Sequence, residues 1–183
     1  MKFLLLPALL LTASPALAAT WTLQPTQSRL QFSGTETGTA FTGNFSSWQA
    51  AISYDPAHPQ AASVKITIDL ASAKTGDTQR DEALPDSDWF NIAATPQATF
   101  TATGFTPEGG DKFTTTGTLT IRGITHKLTL PFTLDVSGNA ATAKGSLSLT
   151  RTDYGVGQGN WALGDYVGLS VGVNFTLVAT SGG

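Results

Sequence analysis

The sequence predicts a single all-β domain of about eight short antiparallel strands, closed as a barrel or stacked as a sandwich. Three observations carry this. Apolar residues recur with a period of two in segment after segment, which puts one face of each strand in a core and the other in water. The segments are separated by hairpin punctuation, namely Asp55-Pro56, Pro107-Glu108-Gly109-Gly110, Arg122-Gly123 and Ser137-Gly138-Asn139. Helical stretches at the spacing of a parallel βαβ unit are missing from the pattern.

The chain opens on a processing signal. Lys2 supplies a basic start, Phe3 to Leu11 an apolar run, and Ala16-Leu17-Ala18 a small-x-small cleavage motif. The run is too short to cross a bilayer core of about 30 Å as a helix. The expectation is therefore a signal peptide over residues 1–18, a domain over 19–183 and a periplasmic location for the exported protein, without stable membrane insertion.

Within the domain, a weak alternation runs over Leu30 to Glu36. In Phe41 to Tyr54 the parity changes: Phe41 and Phe45 are odd, whereas Trp48, Ala50, Ile52 and Tyr54 are even. A one-residue slip near Ser46-Ser47 predicts a bulge or sharp bend, because an unbroken strand would put half of these side chains on the wrong face. Val64, Ile66, Ile68 and Leu70 alternate cleanly. Thr78 to Leu84 predicts two turns of helix, capped by Asp77 or Thr78 and ended by Pro85. Further strands are expected over Ala98 to Phe105, Lys112 to Ile121, Leu128 to Val136, Ala141 to Leu149 and Val167 to Leu177. Between the last two lies Arg151 to Asp165, a glycine-rich irregular segment of the kind that carries function on a regular scaffold.

Composition narrows the chemistry. There is no cysteine, so disulfides, thiolate nucleophiles and Cys-type zinc sites are all removed. Beyond the leader, nine basic residues face thirteen acidic ones, a balance that argues against nucleic acid as a partner. Five carboxylates crowd into Asp77 to Asp88, but without the Asp-x-Asp-x-Asp-Gly framework of a calcium loop, and Pro85 splays them. Capping of the short helix and pairing with Arg80 are the simpler roles. His58 and His126 sit beside turn residues with no ligand-spaced partner, and no nucleophile elbow is present. No catalytic residues, metal ligands or cofactor are assigned, and the protein is not expected to be an enzyme.

Taken together, "FTGNFSSWQAAISYDP", "VKITIDLAS" followed by "TGDTQRDEALPDSDWF", "ATPQATFTAT", "GTLTIRGITHKLTLPF" and "RTDYGVGQ" resemble, in order and spacing, the YceI-like family of exported, lipocalin-like proteins. The resemblance covers nearly all of the chain after the leader. It implies an eight-stranded antiparallel lipocalin-like barrel with one or two short helices. It also implies a deep apolar pocket for a long-chain lipid, polyisoprenoid or fatty-amide-like. Many relatives begin on Asp-x-x-His-Ser. Here the matching residues are Gln24 to Ser28, so no headgroup or metal role carries over to them. Some relatives resemble domains joined to di-haem cytochrome b subunits, which gives an alternative: a non-catalytic interaction or redox-accessory domain with a filled barrel.

On this reading Phe32, Phe41, Phe45, Ile66, Ile68, Phe100, Leu119, Ile121, Leu169, Val171 and Val173 form the wall of the ligand site. Small residues (Gly43, Ala50, Ala102, Gly117, Gly145 and Gly172) make room for the ligand. Arg80, Trp89, Arg151, Asp153, Tyr154 and Trp161 would meet its polar end, with Trp89 and Phe90 packing as a plug or rim. A homodimer through exposed sheet edges is allowed but not decided.

Overall fold

A computed structural model describes residues 18–182. The expected leader, apart from Ala18, lies outside the described residues. Twelve strands and one helix follow in order: β1 (Ala19–Leu23), β2 (Arg29–Glu36), β3 (Thr39–Phe45), β4 (Trp48–Tyr54), β5 (Ser63–Asp69), β6 (Ala73–Lys74), α1 (Thr78–Ala83), β7 (Gln97–Thr103), β8 (Thr106–Gly109), β9 (Lys112–Ile121), β10 (Ile124–Ser137), β11 (Ala140–Thr150) and β12 (Ser170–Ser181).

These reduce to the expected eight-stranded barrel, because several are halves of one interrupted strand. The ring runs β1-β4-β5-β7-β9-β10-β11-β12 and closes through β1 on β12, antiparallel at every step. The 3-10 turn Pro25–Gln27 separates β1 from β2, and β2 continues along β12 while its hairpin partner β3 continues β4. Each strand of the ring has two neighbours, although β10 pairs with β11 only over Phe132–Ser137 and leaves Ile124–Pro131 unpaired on that side.

The parity change is resolved where it was predicted. β3 ends at Phe45 and β4 begins at Trp48, so Ser46 and Ser47 form the bend and both aromatic side chains line the interior. The bend faces a second break, the 3-10 turn Leu70–Ser72 between β5 and β6. There the Ser47 N–H donates to Ser72 Oγ (3.1 Å) and the Asp69 N–H donates to the Ser47 carbonyl (3.0 Å), so the interrupted ladders leave these polar groups paired. At Arg122-Gly123, with φ of 53° and 77°, a two-residue turn joins β9 to β10; positive φ at both positions is what matches the right-handed twist of a hairpin.

Two expectations fail in detail. β12 starts at Ser170 rather than Val167, although Val167 and Leu169 keep the alternation. The Val167 and Gly168 carbonyls accept hydrogen bonds from the Arg151 side chain, and Val167 makes only an isolated bridge to Glu36. His126 lies within β10, not in a turn; its Nε2 meets the Asp153 carbonyl at 3.0 Å.

One end of the barrel is plugged by aromatic packing. Trp21, Tyr54, Phe105 and Phe132 are buried, with Phe105 edge-on to Phe132 at 5.0 Å between ring centres. The Trp21 indole N–H donates to the Tyr54 carbonyl (3.0 Å). The other end is covered by α1 with its following loop and by residues 151–169.

Candidate functional site: a hollow barrel interior

Between the plug and the cover the barrel is hollow. Ile52, Val64, Ile66, Ile68 and Leu130 point inward yet stay only half-buried, because they face empty space rather than neighbours. Two adjoining chambers occupy this space, of about 210 Å³ beside the plug and about 240 Å³ under the cover. A single water needs roughly 10–15 Å³ of such space, so both are far too large to be packing defects.

The inner chamber is wholly apolar. Thr115, the one hydroxyl-bearing aliphatic residue in its wall, donates its proton to the Gly104 carbonyl at 2.8 Å. Polar groups reach the outer chamber through Glu36, Thr75, Gln79 and Arg80. Phe45, Phe90, Ile121, Leu149 and Val173 belong to both walls, so they form the waist through which one elongated occupant would pass.

Glycines keep the lumen open, though not by the expected route. A Cβ on Gly43 would lie 2.3 Å from the Phe32 ring, one on Gly117 2.7 Å from Phe100 and one on Gly145 2.6 Å from Phe175. Each glycine is therefore a recess into which a neighbouring strand's aromatic ring folds against the wall, instead of standing into the lumen. Gly172 has the opposite parity and meets Ser33 Oγ, so it makes no room inside.

The acidic stretch behaves as a structural cap. Asp77 accepts from the Arg80 N–H at the start of α1 (3.0 Å). Asp81 turns back to accept from the Thr75 N–H (2.7 Å) and hydroxyl (2.8 Å). Burial alone would raise its pKa, but these hydrogen bonds outweigh that and hold the carboxyl below its ordinary range. Arg80 finds its main partner outside the stretch: Nη1 bonds Glu36 Oε2 of β2 at 2.5 Å, and only a looser contact of 3.8 Å goes to Asp77. The guanidinium also lies over the Phe41 ring, 4.8 Å from its centre.

Arg151 holds the other half of the cover. It is 4% exposed and forms no ion pair with a carboxylate among the described residues. Nε donates to the Gly168 carbonyl (3.0 Å), Nη1 to those of Val156 (2.8 Å) and Gly157 (3.0 Å), and Nη2 to those of Val167 (2.7 Å) and Trp161. All five N–H donors are thus spent on the backbone of its own segment, and burial pushes its pKa down. Trp89 packs between Arg151 (5.5 Å) and Trp161 (5.6 Å). The Gly157 and Gln158 N–H groups both donate to the Asp88 carbonyl (2.7 and 2.8 Å), and Arg122 donates to the carbonyls of Ser87 and Trp89. The first pair of bonds stitches the two covering segments together, and Arg122 ties the β9–β10 turn to the loop after α1.

Most of the residues expected in the site converge here. Ile66, Ile68, Phe100 and Leu119 line the inner chamber. Phe32, Phe41, Val171, Arg80, Trp89, Arg151, Tyr154 and Trp161 line the outer one, and Phe45, Ile121 and Val173 line both. Leu169 and Asp153 line neither and are exposed, Leu169 because it precedes β12. Sequence reasoning missed Glu36 and Gln79, which bring polar atoms to the outer wall; Glu36 ends an alternating strand and carries no motif.

Comparison with known proteins then decides the family. The model of the YceI-like domain matches residues 21–179. The chain belongs to the YceI-like family. Protein YceI of Escherichia coli is 39% identical over 88 residues, 48% of this chain and 46% of the relative, and a UPF0312 protein of Azotobacter vinelandii is 34% identical over the same length. Each match thus spans about half the length of these curated relatives. Among solved structures, Burkholderia cenocepacia BcnA superposes with a TM-score of 0.82 at 33% identity, covering 86% of this chain and 99% of that one. A polyisoprenoid binding domain from Saccharophagus degradans gives 0.74 at 22% identity, covering 91% and 100%, a likeness that speaks for the fold.

Proposed function

We propose that this YceI-like protein is an exported, periplasmic carrier that sequesters one long apolar chain, polyisoprenoid or fatty-amide-like, and performs no catalysis. The observation that carries the reading is the pair of joined apolar chambers held open by recessed aromatic rings. Each buried methylene is worth about 0.8 kcal/mol, so ten contribute about 8 kcal/mol. Association costs at least ~4 kcal/mol, so a chain long enough to pass the waist is needed for tight binding. The inner chamber offers only apolar wall, which suits a tail, while the outer chamber offers the polar groups that suit its end. The binding domain from Saccharophagus degradans, named for polyisoprenoids, supports this by analogy of fold.

The alternative of an accessory domain for a membrane cytochrome b needed a filled barrel, and the two chambers count against it. Leu163 (80%) and Tyr166 (58%) are exposed apolar side chains of residues 151–169, whereas Tyr154 of the same segment is buried.

Native mass spectrometry of protein purified from a periplasmic extract, with lipid extraction, tests the proposal. A copurifying long-chain lipid is expected, and Ile121→Trp, which narrows the waist, should shorten or abolish the bound chain. A lipid-free protein that also fails to bind long-chain probes would defeat it.

A further inference from the structure

Resting on the carrier reading, we infer that the pocket selects a chain whose polar end is uncharged, such as a hydroxyl, amide or carbonyl, and excludes chains that end in a phosphate or diphosphate. The charges at the outer chamber are already engaged within the protein and act little on a ligand.

Three ionisable side chains of formal charge line that chamber: Glu36, Arg80 and Arg151. Arg80 is neutralised by Glu36 at 2.5 Å and again by Asp77 at 3.8 Å, its Nε reaches Thr75 Oγ1 at 3.4 Å, and its face is taken by Phe41. Arg151 has no unspent N–H. Arg122, beneath the same cover, is committed to the Ser87 and Trp89 carbonyls. Arg151 and Arg122 therefore offer an arriving phosphate nothing, and at Arg80 only Nη protons already flanked by the Glu36 and Asp77 carboxylates remain, so an anion would shed water for a charge that is already offset.

The surroundings work in the same direction. Across residues 75–90, residues 151–169 and Glu36, eight carboxylates stand against two guanidiniums, and Glu82, Asp86, Asp88, Asp153 and Asp165 among them are exposed. This field repels an anion before it docks. Lys74, exposed beside Asp81, does not line the chamber. For an uncharged end the same wall is suitable: the Gln79 amide can donate and accept, and Glu36 retains an oxygen that Arg80 does not take. Rejection by repulsion and unmet desolvation is a recognised route to specificity.

Geranylgeraniol and geranylgeranyl diphosphate share a tail and differ only at the end, so they are the probes, titrated below their aggregation concentrations and followed by tryptophan fluorescence and native mass spectrometry. The alcohol should bind at least about tenfold more tightly than the diphosphate, a gap equal to the ~1.4 kcal/mol of one decade. The double variant Glu36→Gln/Asp77→Asn frees Arg80 and should raise diphosphate affinity relative to the alcohol, so that the gap between the two probes narrows or inverts. Arg80→Met on its own should not weaken diphosphate binding. Thermal melts confirm that each variant is folded. Diphosphate binding as tight as the alcohol by the natural protein, or weakened by Arg80→Met, would overturn the inference and leave the carrier reading standing. Failure of both probes to bind would overturn the two together.

Discussion

Replacing Arg151 with Met tests how the cover is held. The side chain is of similar length and apolar, so the substitution removes five N–H donors with little change of volume. The carbonyls of Val156, Gly157, Trp161, Val167 and Gly168 then lose their partner. An orphaned buried carbonyl costs about 1–3 kcal/mol. The segment lies at the surface, so water can recover some of the five, and the desolvation of an unpaired guanidinium is relieved. A net loss of about 3–5 kcal/mol follows, in the range seen when a buried charged network is broken. For a domain of this size each kcal/mol shifts Tm by roughly 2–4 °C, so a fall of about 6–20 °C is expected. Hydrogen exchange should show the loss concentrated in residues 155–169, with the plug end around Trp21 and Tyr54 unaffected. Arg151→Lys should rescue little, since an ammonium offers three donors from one point and no planar fork. A stability change below about 1 kcal/mol for Arg151→Met, or full rescue by Lys, would refute the assignment of Arg151 as the organiser of the cover.

Three further outcomes follow from particular contacts. Gly117→Ala places a Cβ 2.7 Å from the Phe100 ring and 2.5 Å from the Thr101 carbonyl, so it should cost about 1–3 kcal/mol in chemical denaturation and, by pushing the ring inward, weaken binding of a long-chain probe. The Asp81 carboxyl is held below its ordinary pKa, so its contribution is present above about pH 4 and is lost as pH falls through the folded value. The Tm gap between the natural protein and Asp81→Asn should therefore be full at neutral pH and close in acid. Burial, and then the charge of Asp153, push the Tyr154 hydroxyl upward, so its contribution is present below about pH 10 and is lost as pH rises toward the folded value. Tyr154→Phe should flatten part of the alkaline loss of stability, with Tyr54, raised for the same first cause, supplying another part.

How much of this was legible in the sequence depends on whether the signal is periodic. The bend at Ser46-Ser47 was readable because a parity change has one physical meaning in a strand with a buried face, and Phe45 and Trp48 both point inward as that requires. The Asp77 cap of α1 was readable because capping is local in sequence. The start of β12 was not: Val167 and Leu169 carry the strand pattern, and only the three-dimensional reach of Arg151 to the Val167 and Gly168 carbonyls takes them out of the ladder. Arg80 does reach Asp77 of its own stretch, at 3.8 Å, but its closer partner escaped the sequence for the same reason, since Glu36 lies 44 residues away.

The role of the glycines shows the limit most clearly, and it bears on function. Alternating strands with glycines on the inner face are compatible both with a barrel filled by side chains and with a hollow one, because pattern specifies which face a residue occupies and not where its neighbour's ring goes. In this protein Phe32, Phe100 and Phe175 each fold over the glycine of an adjacent strand, at Gly43, Gly117 and Gly145. Large apolar side chains thus contribute wall area without occupying the axis. Removing the recess removes the reason for the ring to lie back, so the volume of the chambers is set by cross-strand pairs of large and absent side chains. A lumen built in this way has apolar surface for a tail along most of its length, and its polar groups, Glu36, Thr75, Gln79 and Arg80 among them, gather at the outer chamber, where the Arg80 charge is already balanced by Glu36. The ligand's tail and its end are therefore selected by different parts of the barrel, and substitutions at Gly117 and at Glu36 should change chain binding and end-group preference independently.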